Sequence, residues 1–181
     1  MKKHGKYKWC LAAPVLVFLF SIPAMAGEKP PEIARLISAE QPYGKSSLHT
    51  FLFHVYDAEL WTDAKPWSYD APFALSLTYH ATISARELAD KSIEEMDRLQ
   101  PLDEAEKKRD RAILISAFID VKDGDRITAV YMPKKGIVFY GNGMRRASVV
   151  STGFARQFLD IWLSGKTSQP ALRKQLLAGG E

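Results

Sequence analysis

Cysteine is all but missing from this chain: the one thiol, Cys10, sits in an apolar stretch near the N-terminus. That scarcity excludes a disulfide framework and thiolate metal ligands for everything after it. Histidine is also sparse, with only His49, His54 and His80 beyond residue 26. The sequence contains no HExxH, no GxSxG, no Cys–His pair and no cluster of paired carboxylates, so hydrolytic chemistry has no evident seat. Gly141-Asn142-Gly143 lacks the third glycine of a dinucleotide loop, since Arg146 stands in its place. Asp120, Asp123 and Asp125 surround Gly124, yet the twelfth residue counted from Asp120 is Tyr131, where a calcium loop needs a bidentate glutamate. Neither a cofactor nor a metal is expected from these patterns.

A long hydrophobic run is missing as well. Trp9 to Ile22 carries no charge, but at about 14 residues it falls short of the roughly 20 that span a bilayer as a helix. Lys2, Lys3, Lys6 and Lys8 precede it and Ala24-Met25-Ala26 follows it, which is the pattern of a cleavable secretory leader over residues 1–26. The expectation is a periplasmic or secreted protein with no stable membrane insertion after cleavage. The leader holds four of the 25 Lys and Arg and none of the 21 Asp and Glu, which leaves 21 bases against 21 acids. The basic pI therefore belongs mostly to the leader, and nothing argues for nucleic acid as a partner.

What remains is long enough for one domain with one core, because about 150 residues bury roughly 70% of their unfolded surface. Gly27 to Glu32 reads as a polar, proline-bearing stretch that stays mobile, residues 27–43 as an N-terminal lead-in and residues 44–181 as the folded domain. Leu48 to Trp61, dense in Phe, Val, Tyr and Leu, favours one long or bulged strand. On that reading His49 and His54 lie an odd number of residues apart, so without a bulge they point to opposite faces and cannot share a metal. Phe73, Leu75, Leu77 and Tyr79 alternate with Ala74, Ser76 and Thr78, as in a strand with one buried face.

Ser84 with Glu87, and Asp103 with Glu106, are capping boxes that predict helices from about Ala85 to Leu99 and from there towards Phe118, separated at Pro101. The charged first half of the second helix reads as a solvated face. Asp123-Gly124-Asp125 turns into a strand Arg126 to Met132, which Pro133-Lys134-Lys135-Gly136 folds back as Ile137 to Tyr140. A short strand then runs to Val150, Thr152 is placed to cap a helix carrying Phe154, Phe158, Ile161 and Trp162, and a last helix runs from Ser168 to Leu177. Strands, a helix pair, antiparallel strands and a second helix pair predict an α+β fold, an antiparallel sheet with a layer of helices on one face.

The order and spacing of Val55-Tyr56-Asp57-Ala58-Glu59-Leu60-Trp61, the Val121 to Arg126 turn, Phe139-Tyr140-Gly141-Asn142-Gly143, Phe154-Ala155, Ile161-Trp162-Leu163 and Leu172 to Leu177 resemble the bacterial chalcone isomerase-like family of exported proteins. The resemblance runs from about Gly44 to Ala178 and implies an open-faced sheet-and-helix sandwich, in agreement with the element order. Members of this wider family either close a flavanone ring without a cofactor or bind fatty acids. Both kinds hold an anionic group with an arginine near the start of the strand before the Val-Tyr segment, as suits the fixed fork of a guanidinium. Leu48 occupies that place here, and neither His49 nor Lys45 reproduces the fork.

The resemblance therefore implies a non-catalytic binder of a small apolar or amphipathic ligand such as a fatty acid. A cofactor-independent isomerase and a helper that docks onto another envelope protein are the alternatives. Tyr56 falls where the true isomerases carry a small hydroxyl residue, and its phenol is a candidate to orient a ligand, although a tyrosine in such a strand also serves as core. His49, Tyr79, Tyr131 and Asn142 are further candidates of the same kind, and Arg145 and Arg146 are possible replacements for the missing cation that also suit a solvated turn.

Overall fold

The computed structural model describes residues 29–180. The leader expected over 1–26, with its cleavage site, lies outside the described residues.

The sheet has six strands in sequence order, every neighbouring pair antiparallel: β1 (Gly44–Thr50), β2 (Phe53–Thr62), β3 (Phe73–Tyr79), β4 (Arg126–Met132), β5 (Gly136–Gly141) and β6 (Met144–Val149). Helices α1 (Ala85–Leu99) and α2 (Glu104–Ala117) connect β3 to β4, and α3 (Thr152–Leu163) and α4 (Pro170–Leu176) follow β6. The α+β architecture with helices over one sheet face is as expected from the element order.

Local chemistry explains the helix starts. The Ser84 side chain accepts from the Glu87 N–H at 3.2 Å, and the Glu87 carboxylate accepts from the Ser84 N–H at 2.9 Å. Asp103 and Glu106 make the same reciprocal pair at 2.8 and 3.0 Å, so both boxes satisfy backbone donors that a helix leaves unpaired. At α3 the cap is Ser151, whose hydroxyl accepts from the Phe154 N–H at 3.2 Å, and Thr152 is already the first helical residue. The cap stands one residue earlier than its sequence assignment because both hydroxyls fit the pattern and only the extended backbone at Ser151 distinguishes them.

Leu48 to Trp61 is not one strand. Phe51 and Leu52 turn the chain, and β1 and β2 pair as a hairpin with Leu48 opposite Tyr56 and His49 opposite His54. The two histidines are cross-strand neighbours with parallel rings, their centroids 4.5 Å apart. The opposite-face reading fails because the register passes through a turn and a bulge between Leu48 and His49.

The expectation of a mobile stretch from Gly27 to Glu32 fails over its described part, where Pro30 is buried. A short 3-10 helix (Pro31–Ile33) lies against the sheet, with Ile33 and Ile37 buried in a small cluster with Trp61, Ala74 and Val130. This segment covers the face opposite the helices, and it explains a second departure from expectation. Both faces of β3 are buried: Ala74 and Ser76 are as enclosed as Phe73 and Leu75, and Ser76 pairs its hydroxyl with that of Thr128 at 3.2 Å. A buried hydroxyl pair satisfies itself and costs little.

The main core lies between the sheet and the helix layer. Phe118, Phe139 and Phe158 pack edge to face or tilted at 5.1–6.1 Å, and Phe158 continues to Trp162 at 5.3 Å. The close approach of α4 to the first strand depends on Gly44, where an added Cβ would lie 2.1 Å from the Leu176 carbonyl oxygen.

Candidate functional site

Beside this aromatic core the layers do not close completely. A cavity of about 370 Å³ remains between the sheet and α1 and α3, with Phe118 at the end of α2 on its wall, within the range of small-molecule sites and at its small end. Leu75, Leu77, Ile127 and Ala129 form its floor, alternate residues on β3 and β4 that point to the helix side. Leu88, Phe118, Phe158, Ile161 and Trp162 roof it, and Leu48 and Val55 close the side nearest the β1–β2 hairpin.

Two phenols enter this apolar space. Tyr56 and Tyr79 are paired across β2 and β3, with ring centroids 5.8 Å apart in an edge-on contact. The Trp162 indole N–H donates to the Tyr56 oxygen at 2.9 Å, which leaves the Tyr56 hydroxyl proton free to donate to a third group. Burial pushes the Tyr56 phenol up to about 12, with the indole bond acting against the rise and the Glu95 carboxylate adding to it. Burial also pushes Tyr79 well above the usual phenol range, helped by its proximity to Tyr56. Both are neutral hydrogen-bond donors at physiological pH.

The charged residues stand at the rim. Glu87, Lys91 and Glu95 follow one another at i, i+4 spacing along α1, and Ser92, Ser168 and Gln169 stand beside them. Lys91 is engaged by Glu94 at 2.9 Å and Glu95 at 3.3 Å. Glu95 also accepts from Arg98 at 2.9 Å. Burial works to raise the Glu95 carboxyl, but Arg98, Ser168 and Lys91 together hold it below the usual range. The site thus has apolar walls, two uncharged donors inside and a rim where Lys91 and Glu95 are ion-paired and Glu87 caps α1, and can hold an oxygen acceptor on an otherwise apolar body.

Of the residues proposed from sequence, Tyr56 and Tyr79 meet in the cavity and the others do not. Tyr131 is buried beside Phe73 and Tyr69, at 4.9 and 5.4 Å between centroids, on the same layer but outside the cavity lining. Asn142 is a turn residue with φ of 49°; its side-chain Oδ1 accepts from the Arg126 N–H and its Nδ2 donates to Asp125. Arg145 and Arg146 are exposed on the edge strand β6, away from the cavity. Leu48 lines the cavity where the arginine was expected, and among the lining residues Lys91 is the only cation. The rim and Trp162 were missed by sequence reasoning, although the Glu87, Lys91, Glu95 stripe beside Leu88 and Ser92 was a legible signal.

His49 belongs to a separate cluster at the turn end of the hairpin. His54 and His80 stack at 4.0 Å, and His49 stacks on the other side of His54. Asp57 receives both imidazoles, His54 Nε2 at 2.9 Å on one oxygen and His80 Nε2 at 2.8 Å on the other, while His80 Nδ1 meets Asp123 at 2.9 Å. His54, Asp57 and His80 offer three donor atoms within 4.8 Å of one another. The rings lie nearly parallel, so a cation in the plane of both would require the stack to open. As it stands the group is an ion-paired clasp tying β1–β2 to the ends of β3 and the Asp123 turn.

The clasp has a pH signature. The Asp57 hydrogen bond raises the His80 pKa above its ordinary 6.5, desolvation opposes this, and Asp123 adds to the rise. Desolvation works to raise Asp57, yet the bonds from Ser47, His80 and His54 hold it below its ordinary 3.8. A raised histidine contributes stability that is complete below the unfolded value and lost as pH rises through the folded one. A lowered aspartate contributes stability present above its unfolded value and lost as pH falls through the folded one. The clasp is therefore tightest at mildly acidic pH, between the two ordinary values. An NMR titration of His80 is expected to give a midpoint above 6.5, and Asp57→Asn is expected to move it down; an unchanged midpoint in the variant would assign the shift elsewhere.

Comparison with known proteins gives three findings. A family model described as chalcone isomerase-like matches residues 48–178. No curated protein matches the chain. Among solved structures, an Arabidopsis thaliana fatty-acid binding protein superposes with a TM-score of 0.58 at 13% identity, over 77% of this chain and 87% of that one. At that identity the likeness concerns the fold. No helix among the described residues is long and apolar enough to cross a membrane.

Proposed function

Because this chain belongs to the chalcone isomerase-like family, we propose that it is an exported, non-catalytic carrier of a small apolar or amphipathic molecule, held between the sheet and the helix layer. The observation that carries this reading is the cavity of about 370 Å³ with apolar walls and two neutral phenol donors. An acyl chain suits the walls, and a carbonyl or hydroxyl oxygen suits the uncommitted protons of Tyr56 and Tyr79. The fatty-acid binding protein that shares the fold supports a ligand of this general kind. Export rests on the leader-like residues 1–26.

Native mass spectrometry of the mature protein, purified gently from an envelope fraction, tests the proposal together with uptake of a fluorescent acyl probe from solution. A defined co-purifying lipid, or saturable uptake of the probe, is expected. A homogeneous empty protein that takes up no probe would overturn the reading.

A second reading, an isomerase of enones or phenols, is favoured by one detail: the indole bond that leaves the Tyr56 proton directed to a ligand. Flavanone formation above the spontaneous rate, abolished by Tyr56→Phe, would establish it. No turnover across a panel of chalcones would remove it.

A further inference from the structure

The β1–β2 turn bears the two most exposed large apolar side chains among the described residues, and a third follows them directly. Phe51, Leu52 and Phe53 are 97%, 96% and 74% exposed, three in succession. Isolated exposed apolar residues are ordinary, whereas a contiguous group on a projecting tip marks an interaction site. Folding does not account for them. Phe51 has φ of 53°, at the first position of a two-residue hairpin turn where glycine is the natural occupant and a bulky side chain is strained. The tip is therefore unfavourable twice over, in backbone conformation and in solvation, with no compensating contact within the domain.

We propose that the Phe51–Leu52–Phe53 tip inserts into a lipid surface and serves as the point at which the cavity exchanges ligand with that surface. This rests on the carrier reading. Three observations favour lipid over a protein partner. The side chains stand at the apex of a narrow hairpin that projects at the end of the edge strand β1, a shape that a fluid acyl layer can surround without a fixed register. From Leu48 to Tyr56 the chain has no acidic residue, and the flanking His49 and His54 form one stack, so an anionic headgroup layer meets no repulsion from this stretch. Above all, the strands bearing the tip run directly into the cavity wall: Leu48 and Val55, three residues before Phe51 and two after Phe53, both line it. An inserted tip thus brings the apolar interior of the cavity next to the apolar interior of the membrane.

The test compares the full mature chain with the variant Phe51→Gly, Leu52→Ser, Phe53→Thr, which restores ordinary hairpin-turn chemistry and leaves every cavity-lining residue in place. Two readouts are taken: co-sedimentation with phosphatidylcholine–phosphatidylglycerol vesicles, and transfer of a fluorescent acyl probe between vesicles. Loss of three apolar contacts is expected to weaken vesicle binding at least about tenfold and to slow transfer in parallel. Uptake of the probe from solution, and thermal stability, are expected to be unchanged or improved.

Absence of vesicle binding by the parent chain would overturn the proposal, as would equal binding and transfer by the variant. Tip-dependent self-association without lipid, or capture of a protein partner that the variant loses while vesicle binding persists, would assign the tip to protein contact and overturn it equally. If instead neither chain takes up probe from solution, the carrier reading fails, and vesicle binding by the tip is judged separately.

Discussion

Phe139→Ala is expected to destabilise the fold by about 3–5 kcal/mol, the largest single effect of any side-chain truncation considered. Phe139 is fully buried at the centre of β5, edge-on to Phe118 at 5.9 Å and Phe158 at 5.1 Å. Its neighbours are held by a strand on either side, Ala129 on β4 and Ala147 on β6. Alanine on both sides leaves nothing flexible to collapse into the hole, so the loss of apolar burial and the cost of the cavity add. With about 2–4 °C lost per kcal/mol in a domain of this size, the midpoint is expected to fall by roughly 6–20 °C. Urea and thermal melts measure it directly. A loss below about 1 kcal/mol would mean that the cluster repacks and that the helix layer is looser than the structure shows.

Ala129→Phe is expected to do the reverse, leaving the fold intact and abolishing ligand uptake. Ala129 is on the cavity floor, opposite Leu75 on one neighbouring strand and Phe139 on the other. An aromatic ring added there enters space that is already open rather than a closed core, so the overpacking penalty of about 1–3 kcal/mol is largely avoided. The ring occupies the volume that an acyl chain would need. Probe affinity is expected to fall about 100-fold or more, equivalent to at least about 2.7 kcal/mol of lost binding, while the thermal midpoint stays within a few degrees. Retained uptake would place the ligand elsewhere and detach the cavity from the carrier function.

The Phe139 and Ala129 variants separate stability from binding because the same strand pair carries both a filled and an unfilled part of the core. Phe139 belongs to the filled part, under α3. Ala129, one register partner away, faces the part left open beneath Leu88, Ile161 and Trp162.

How far this was legible beforehand depends on how local each signal is. The reciprocal side-chain to backbone bonds of Ser84 with Glu87 and Asp103 with Glu106 act within four residues, so the starts of α1 and α2 follow from the sequence alone. The same is true of the β4–β5 hairpin, whose turn is closed by Gly136, the first residue of β5, at φ of 97°, a conformation that an L side chain resists. The apolar alternation of β3, the unpaired capacity of the helices to cover only one face, and the family resemblance determined the fold class.

The β1–β2 hairpin was hidden because its turn is Phe51-Leu52, which carries no turn chemistry. Only the pairing of Leu48 with Tyr56 and of Gly44 with Leu60 discloses it. From that single long-range fact follow the stacked histidines, the shared Asp57 and the exposed tip. The cavity is equally a tertiary product, a space bounded by residues from Leu48 to Gln169 that no window of sequence contains. Likewise the burial of Ile33 and Ile37 against Trp61 depends on where the sheet leaves a face uncovered, not on any pattern within residues 27–43. Sequence determined what each segment prefers over a few residues, because capping, turn conformation and amphipathic period are short-range forces. The tertiary structure alone decided which strands meet, which face is covered and what stays open, because those depend on packing between segments tens of residues apart.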